Sequence, residues 1–96
     1  MENIKDKMRE RLSKERVFNN PKDALLYAVL QQRTDGEDFV IFKTSEGGYM
    51  AVHYINSEIA IQLGHRIVFG FNNVLYASQS DENCRDLLQQ LKYKEE

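Results

Sequence analysis

The residues from 24 to 30, Ala-Leu-Leu-Tyr-Ala-Val-Leu, constrain the fold most, because a helix built from them is apolar on nearly every side. Asn20 is a favourable N-cap and Pro21 suits the first helical position, so the helix is predicted to begin here. The Thr-Asp-Gly sequence at 34–36 is expected to end it. Such a helix has to be buried, so we expect the rest of the 96-residue chain to pack around it.

Several later segments have the composition of β-strands. Segments 39–42 and 49–54 are rich in β-branched and aromatic residues and flank a glycine-containing loop, which predicts an antiparallel hairpin. Segments 66–71 and 74–78 predict a second hairpin, because the two asparagines between them tolerate the positive φ of a type I′ turn. Segment 57–63 fits either a strand or a short helix, and its alternation of apolar and polar residues slightly favours the strand.

Two more helices are predicted to flank these strands. Residues 2–16 are good helix formers with a thin apolar stripe, and the polar residues at 79–82 open a last amphipathic helix. The predicted fold is therefore α+β: an antiparallel sheet of four or five strands with two N-terminal helices and one C-terminal helix. Residues 1–18 are predicted to form a helical arm, and residues 19–96 a single α+β domain.

Both faces of the predicted sheet are apolar. Pairing Thr44 with Tyr49 in the first hairpin sets which strand residues share a face. One face then holds Phe39, Ile41, Met50, Val52 and Tyr54, and the other holds Val40, Phe42, Tyr49, Ala51 and His53. An antiparallel sheet usually leaves one face to water, so something has to cover the second face here. Either the chain's own three helices divide between the faces, or a partner or a second copy covers one of them.

The second explanation predicts a protein-binding surface on the sheet. Its residues would be the aromatic and polar side chains Tyr49, His53, Phe69, Phe71 and Tyr76. Interface hot spots favour this composition. The predicted partner is another protein, and exposed strand edges also allow a homodimer.

The titratable residues form no catalytic or metal signature. Two histidines and one cysteine show no ligand spacing such as C-x-x-C, so neither a metal nor a cofactor is predicted. Cys84 shares a predicted helix face with three leucines and is expected to be a small buried hydrophobe. His53, which follows Tyr49 and precedes Tyr54, is the centre of one alternative: a small-molecule pocket.

The charge pattern limits the class of partner. A net charge of −2 favours neither nucleic acid nor a membrane surface. Lys5, Lys7, Arg9 and Arg11 form a possible nucleic-acid arm, but acidic residues are interleaved with them. The longest strongly apolar run, 24–30, is far shorter than the roughly 20 residues of a membrane span, so a cytoplasmic location without membrane contact is predicted.

The main functional prediction is a small, non-catalytic protein-binding module that regulates or inhibits a macromolecular partner. Small proteins of mobile genetic elements often look like this, an analogy that rests on size alone. The first alternative is a nucleic-acid-associated protein that uses the basic N-terminal helix, which predicts binding that weakens steeply with salt. The second is a ligand-binding domain or enzyme with a pocket near His53, which predicts a ligand-dependent rise in melting temperature.

Overall fold

The structure, a computed structural model, describes residues 3–94, with side chains through Leu91. Within that range five α-helices lie at Ile4–Leu12 (α1), Pro21–Asp35 (α2), Ser57–Gln62 (α3), Phe71–Ser78 (α4) and Asp81–Lys94 (α5). The strands of the same range are Arg16–Phe18 (β1), Phe39–Lys43 (β2), Tyr49–His53 (β3) and Arg66–Phe69 (β4), and a 3-10 turn at Tyr54–Asn56 follows β3. The predicted α+β class, with an antiparallel sheet, two N-terminal helices and a C-terminal helix, is confirmed.

The helix α2 has the predicted ends. The Oδ1 atom of Asn20 accepts the backbone N–H of Asp23 at 2.9 Å, and Gly36 stops the helix with a φ of 69°. Its inner side is buried and consists of Ala24, Leu25, Ala28 and Val29. Leu26 and Leu30 on the outer side are exposed, so the expectation that the whole helix is buried is wrong on that side.

The sheet order is β1-β3-β2-β4, and every neighbouring pair is antiparallel. In the central hairpin Lys43, not Thr44, lies opposite Tyr49. The predicted register was wrong by one residue, because the loop is one residue shorter than expected. The N–H of Thr44 donates to the carbonyl of Gly48 at 2.8 Å, and Gly47 turns the chain with a φ of 97°. A one-residue shift exchanges the faces of one strand relative to the other.

The chain's own helices cover both faces of the sheet. Helices α2, α4 and α5 pack on the face that carries Phe39, Ile41, Tyr49, Ala51 and Phe69. Helices α1 and α3 lie on the opposite face, where Leu12 and Ala60 pack against Val40, Phe42, Met50 and Val52. The doubly apolar sheet is therefore explained by helices on both sides, as one of the two expectations had it.

Two segments predicted as strands are helices. The second predicted hairpin is wrong, because residues 74–78 belong to α4: Val74 and Ala77, three positions apart, are buried on one side of a helix that begins after Gly70. The slight preference for a strand at 57–63 is also wrong, because α3 occupies most of that segment. Apolar spacing over so few residues fits either period, and packing against the sheet decides between them.

The N-terminal segment is partly built into the sheet. The helix α1 ends at Leu12 rather than at residue 16, and Arg16–Phe18 pairs with β3 as an edge strand. Leu12 and Glu15 are both buried, whereas Ile4 near the start of α1 is exposed. No helix of residues 3–94 combines the length and apolarity that a membrane crossing requires.

Candidate functional site

The five residues predicted for a protein-binding surface do not share one surface. Tyr49 and Phe69 are buried in the core under α2, α4 and α5. His53 is half-buried at the end of β3, and Phe71 is half-buried at the start of α4. Tyr76 lies on the exposed side of α4, because its segment is a helix and not a strand. The predicted set is thus divided between the core and two parts of the surface.

Tyr76 borders a polar cleft of about 390 Å³ on the surface of α4 and α5. Its hydroxyl donates to Oδ2 of Asp86 at 3.2 Å, and the side-chain amide of Asn83 donates to its carbonyl at 3.1 Å. Desolvation and the hydrogen bond to Asp86 raise the pKa of the Tyr76 phenol, which therefore remains a proton donor at neutral pH. These two hydrogen bonds link α4 to α5 and satisfy the hydroxyl and the backbone carbonyl of Tyr76.

The four basic residues of the predicted nucleic-acid arm lie on α1, but on different sides of it. Lys5 and Arg9 are one turn apart, and so are Lys7 and Arg11, at a different angle around the helix. The guanidinium of Arg9 pairs with Asp6 at 3.2 Å. The arm therefore presents two separated pairs of cations and no continuous basic stripe.

Glu15 and His53 form a two-point polar contact between segments that are far apart in the sequence. The Oε2 atom of Glu15 accepts the backbone N–H of His53 at 2.5 Å, and its Oε1 atom lies 2.7 Å from Nδ1 of the same residue. The Glu15 side chain is only 4% exposed. An ionised carboxylate accepts hydrogen bonds and does not donate them, so Nδ1 of His53 donates a proton to Glu15 in this contact.

The second ring nitrogen of His53 faces another carboxylate. Nε2 lies 3.5 Å from Oε2 of Glu37, which stands in the loop between α2 and β2. The ring itself is held against Phe39, with centroids 4.4 Å apart. The imidazole is therefore held by Glu15 at Nδ1, while its Nε2 atom faces the carboxylate of Glu37.

Apolar side chains lie beside this histidine. The 3-10 turn that follows β3 is fastened by the N–H of Tyr54, which donates to the carbonyl of Asp38 at 2.8 Å. Tyr54 is 54% exposed and Ile55 is 80% exposed, although both are large and apolar. The Tyr54 ring packs edge-on against Phe71, with centroids 4.9 Å apart. We call the surface formed by Glu37, Asp38, His53, Tyr54, Ile55 and Phe71 the His53 end of the sheet.

The His53 end contains an open cleft of about 280 Å³. The cleft is lined by Glu37, Asp38, His53, Tyr54 and Ile55. Its described lining includes no serine, threonine, cysteine or lysine that the imidazole could activate as a nucleophile. Within residues 3–94, no three His, Cys, Asp or Glu side chains are grouped so that they could hold a metal ion. The site can accept hydrogen bonds, offer negative charge and bury apolar surface.

Sequence reasoning found His53 and Phe71 but missed Glu15, Glu37 and Ile55. Glu15 stands among helix formers with alternating charges, and only the pairing of β1 with β3 brings it to His53. The signal for Ile55 was present: a large aliphatic residue directly after a strand, in a turn, has few partners within its own segment.

Searches against protein-family models, curated proteins and solved structures find no match for this chain, so the geometry of the His53 end is the basis of the functional argument.

Proposed function

We propose that this chain is a small, non-catalytic protein-binding module that regulates or inhibits its partner, and that the His53 end of the sheet is its contact surface. The observation that carries the proposal is the exposure of Ile55, 80%, directly beside Tyr54. Leaving such side chains in water forgoes the free energy that burial in the protein's own core would provide. Exposed apolar groups that adjoin polar ones are typical of interaction surfaces.

The composition of the His53 end fits a protein partner better than a nucleic acid. An apolar centre of Tyr54, Ile55 and Phe71 is flanked by the carboxylates of Glu37 and Asp38. Protein interfaces combine an aromatic and aliphatic centre with a polar rim in this way. Phosphate groups would be repelled by the two carboxylates.

The cellular setting and assembly state are part of the same proposal. We expect the protein to act in the cytoplasm, with which its single, buried free thiol at Cys84 is compatible. A second copy of the chain is the alternative occupant of the His53 end, since exposed apolar residues also suit a symmetric contact.

The experiment compares two charge substitutions in the tagged full chain, Ile55→Asp and Ile61→Asp. Both isoleucines are exposed, by 80% and 51%, so neither change places a charge in the core. In nuclease-treated extract from the cells that produce the protein, we expect wild type and Ile61→Asp to retain the same stoichiometric partner at high salt, and Ile55→Asp to lose it. Equal retention by both variants would contradict the proposal.

A measurement of mass in solution separates the two occupants. A wild-type dimer that Ile55→Asp converts to a folded monomer would identify a second copy of the chain at the His53 end. A wild-type monomer leaves the surface free for another protein.

A further inference from the structure

We infer that β1 is a dimerisation strand. Its outer edge pairs with β1 of a second copy of the chain in antiparallel orientation, so that Val17 of one copy lies opposite Val17 of the other. The pairing joins two four-stranded sheets into one continuous sheet. It involves none of the residues of the His53 end and is therefore independent of the proposed contact surface.

The hydrogen bonds at the two ends of the β2–β3 hairpin show where the backbone groups of β3 point. The N–H of Thr44 donates to the carbonyl of Gly48. At the other end, the N–H of Tyr54 donates to the carbonyl of Asp38. Both pairs continue the register of the hairpin, in which hydrogen-bonded and non-hydrogen-bonded pairs alternate. The even-numbered residues of β3 therefore bond to β2, and the odd-numbered residues direct their N–H and carbonyl groups toward β1.

Val17 is the residue of β1 whose backbone faces outward. Arg16 and Phe18 lie opposite odd-numbered residues of β3, to which they bond. Val17 lies opposite the even-numbered Met50, so its N–H and carbonyl point away from β3, and β1 is the last strand on that side of the sheet. Among residues 3–94, no backbone group of a turn or loop hydrogen-bonds to Val17. An open edge of this kind is a template for another strand.

A second copy of β1 matches this edge because the match is symmetric. The outward groups belong to the middle residue of a three-residue strand, so a two-fold axis at that point lets each Val17 donate to the carbonyl of the other. Arg16 of one copy then lies opposite Phe18 of the other. Within one chain the Arg16 guanidinium already lies 5.8 Å from the centroid of the Phe18 ring, and no like charges face each other directly across the axis.

The side chain of Val17 is available for the same contact. It is 61% exposed, and it shares a face of the sheet with Met50, which lies opposite it. An open groove of about 210 Å³ lies at this face, and its apolar lining includes Leu12, Val17, Met50 and Leu63. The valine of the second copy therefore covers apolar surface as well as completing the hydrogen bonds.

The opposite edge of the sheet is less suited to pairing. Phe69 and Ile67 of β4 pair with consecutive residues of β2, so Val68 between them is the extra residue of a β-bulge. A bulge bends and twists an edge strand and so hinders the addition of a further strand. The three residues of β1 pair with β3 in regular register. Of the two edges, β1 is therefore the one that fits a second copy.

The test places charges at position 17 of the full chain. Val17→Lys and Val17→Glu each put two like charges opposite one another in the dimer, at an exposed position that leaves the core intact. By sedimentation equilibrium, we expect wild type to dimerise with a Kd of about 100 µM, and each variant about tenfold more weakly or less. An equimolar mixture of the two variants should form a heterodimer, since an ammonium group then faces a carboxylate.

A second pair of variants tests the backbone hydrogen bonds. Val17→Pro removes the outward N–H but no hydrogen bond to β3, and an edge strand tolerates proline at such a position, so this variant should be a folded monomer. Val17→Thr keeps the donor and the β-branched shape, and as the control it should still dimerise. In wild type, hydrogen exchange of the Val17 amide should slow as the protein concentration rises. If Val17→Pro does not fold, the charge variants decide.

Three results overturn the inference. The first is a wild type that stays monomeric up to about 1 mM. The second is a dimer that the charges at position 17 leave intact, and the third is a mixture of the two charge variants that does not associate. A dimer that Ile55→Asp breaks, and that the charges at position 17 leave intact, would place the second copy at the His53 end instead.

Discussion

Glu15 and His53 are joined by two hydrogen bonds across 38 positions of the chain, one to the backbone N–H and one to the imidazole. The first contact fixes the turn before β1 against the end of β3. The second fixes the orientation of the ring and places a proton on Nδ1. A single buried carboxylate thus links the N-terminal segment to the candidate binding surface.

Glu15→Gln is expected to change the histidine as well as the stability. The amide oxygen can still accept the backbone N–H of His53, but the amide NH2 then faces Nδ1 as a donor, so Nδ1 loses its proton and the ring is protonated on Nε2 alone. We expect nitrogen NMR shifts of the imidazole to report this exchange, and denaturant unfolding to show a loss of about 1–3 kcal/mol. Glu37→Gln, at a half-exposed carboxylate, should cost less than about 0.5 kcal/mol. A proton that stays on Nδ1 in Glu15→Gln would contradict the assigned hydrogen bond.

Phe69 and Ile67 of β4 should differ strongly in their contribution to stability. Phe69 is fully buried in the core, so Phe69→Ala removes packing and leaves a cavity at a cost of about 3–5 kcal/mol. Ile67, two positions earlier, is 53% exposed, and Ile67→Ala should cost about 1 kcal/mol or less. Urea unfolding of both variants measures the difference. Similar losses would show that β4 is packed differently.

The central hairpin loop gives a test of backbone strain. Gly47 has a φ of 97°, where an L-residue is strained, and its neighbourhood leaves space for a methyl group. Gly47→Ala should therefore destabilise the protein by about 1–2 kcal/mol through the backbone alone. Ser45→Ala, in the same exposed loop, serves as the control and should be close to neutral. The melting temperatures of Gly47→Ala and Ser45→Ala, compared with that of the wild type, test this prediction.

Cys84 should react slowly while the protein is folded. Burial raises the pKa of its thiol above the ordinary value of 9.0, so the thiolate fraction at neutral pH is smaller than in the unfolded chain. Iodoacetamide labelling followed by mass spectrometry should be much faster in denaturant than in buffer. Because the raised pKa favours the protonated thiol in the folded state, its contribution to stability is present at neutral pH and is lost as the pH rises above about 9. Rapid labelling of the native protein would contradict the burial of Cys84.

Local signals predicted the parts of the fold that depend on neighbours in sequence. The ends of α2 were predicted correctly because the Asn20 cap and Gly36 act within one turn of the helix. The helix after Gly70 was not predicted, because the spacing of Val74 and Ala77 suits a strand or a helix. Only packing against α2 and α5 decides between the two. Glu15 could not be found from sequence for the same reason: its role depends on a strand pairing with a distant segment.

The position of β1 in the sheet sets an order of events during protein synthesis. Residues 16–18 leave the ribosome well before β3, the strand they pair with, and β3 pairs also with β2, which precedes it by a short loop. The β2–β3 hairpin closes a small loop, whereas docking β1 closes one that spans α2 as well, at a greater entropic cost. The N-terminal edge of the sheet and the histidine contact of Glu15 are therefore completed only after the hairpin has been synthesised, and until then His53 lacks the contact that fixes the orientation of its ring.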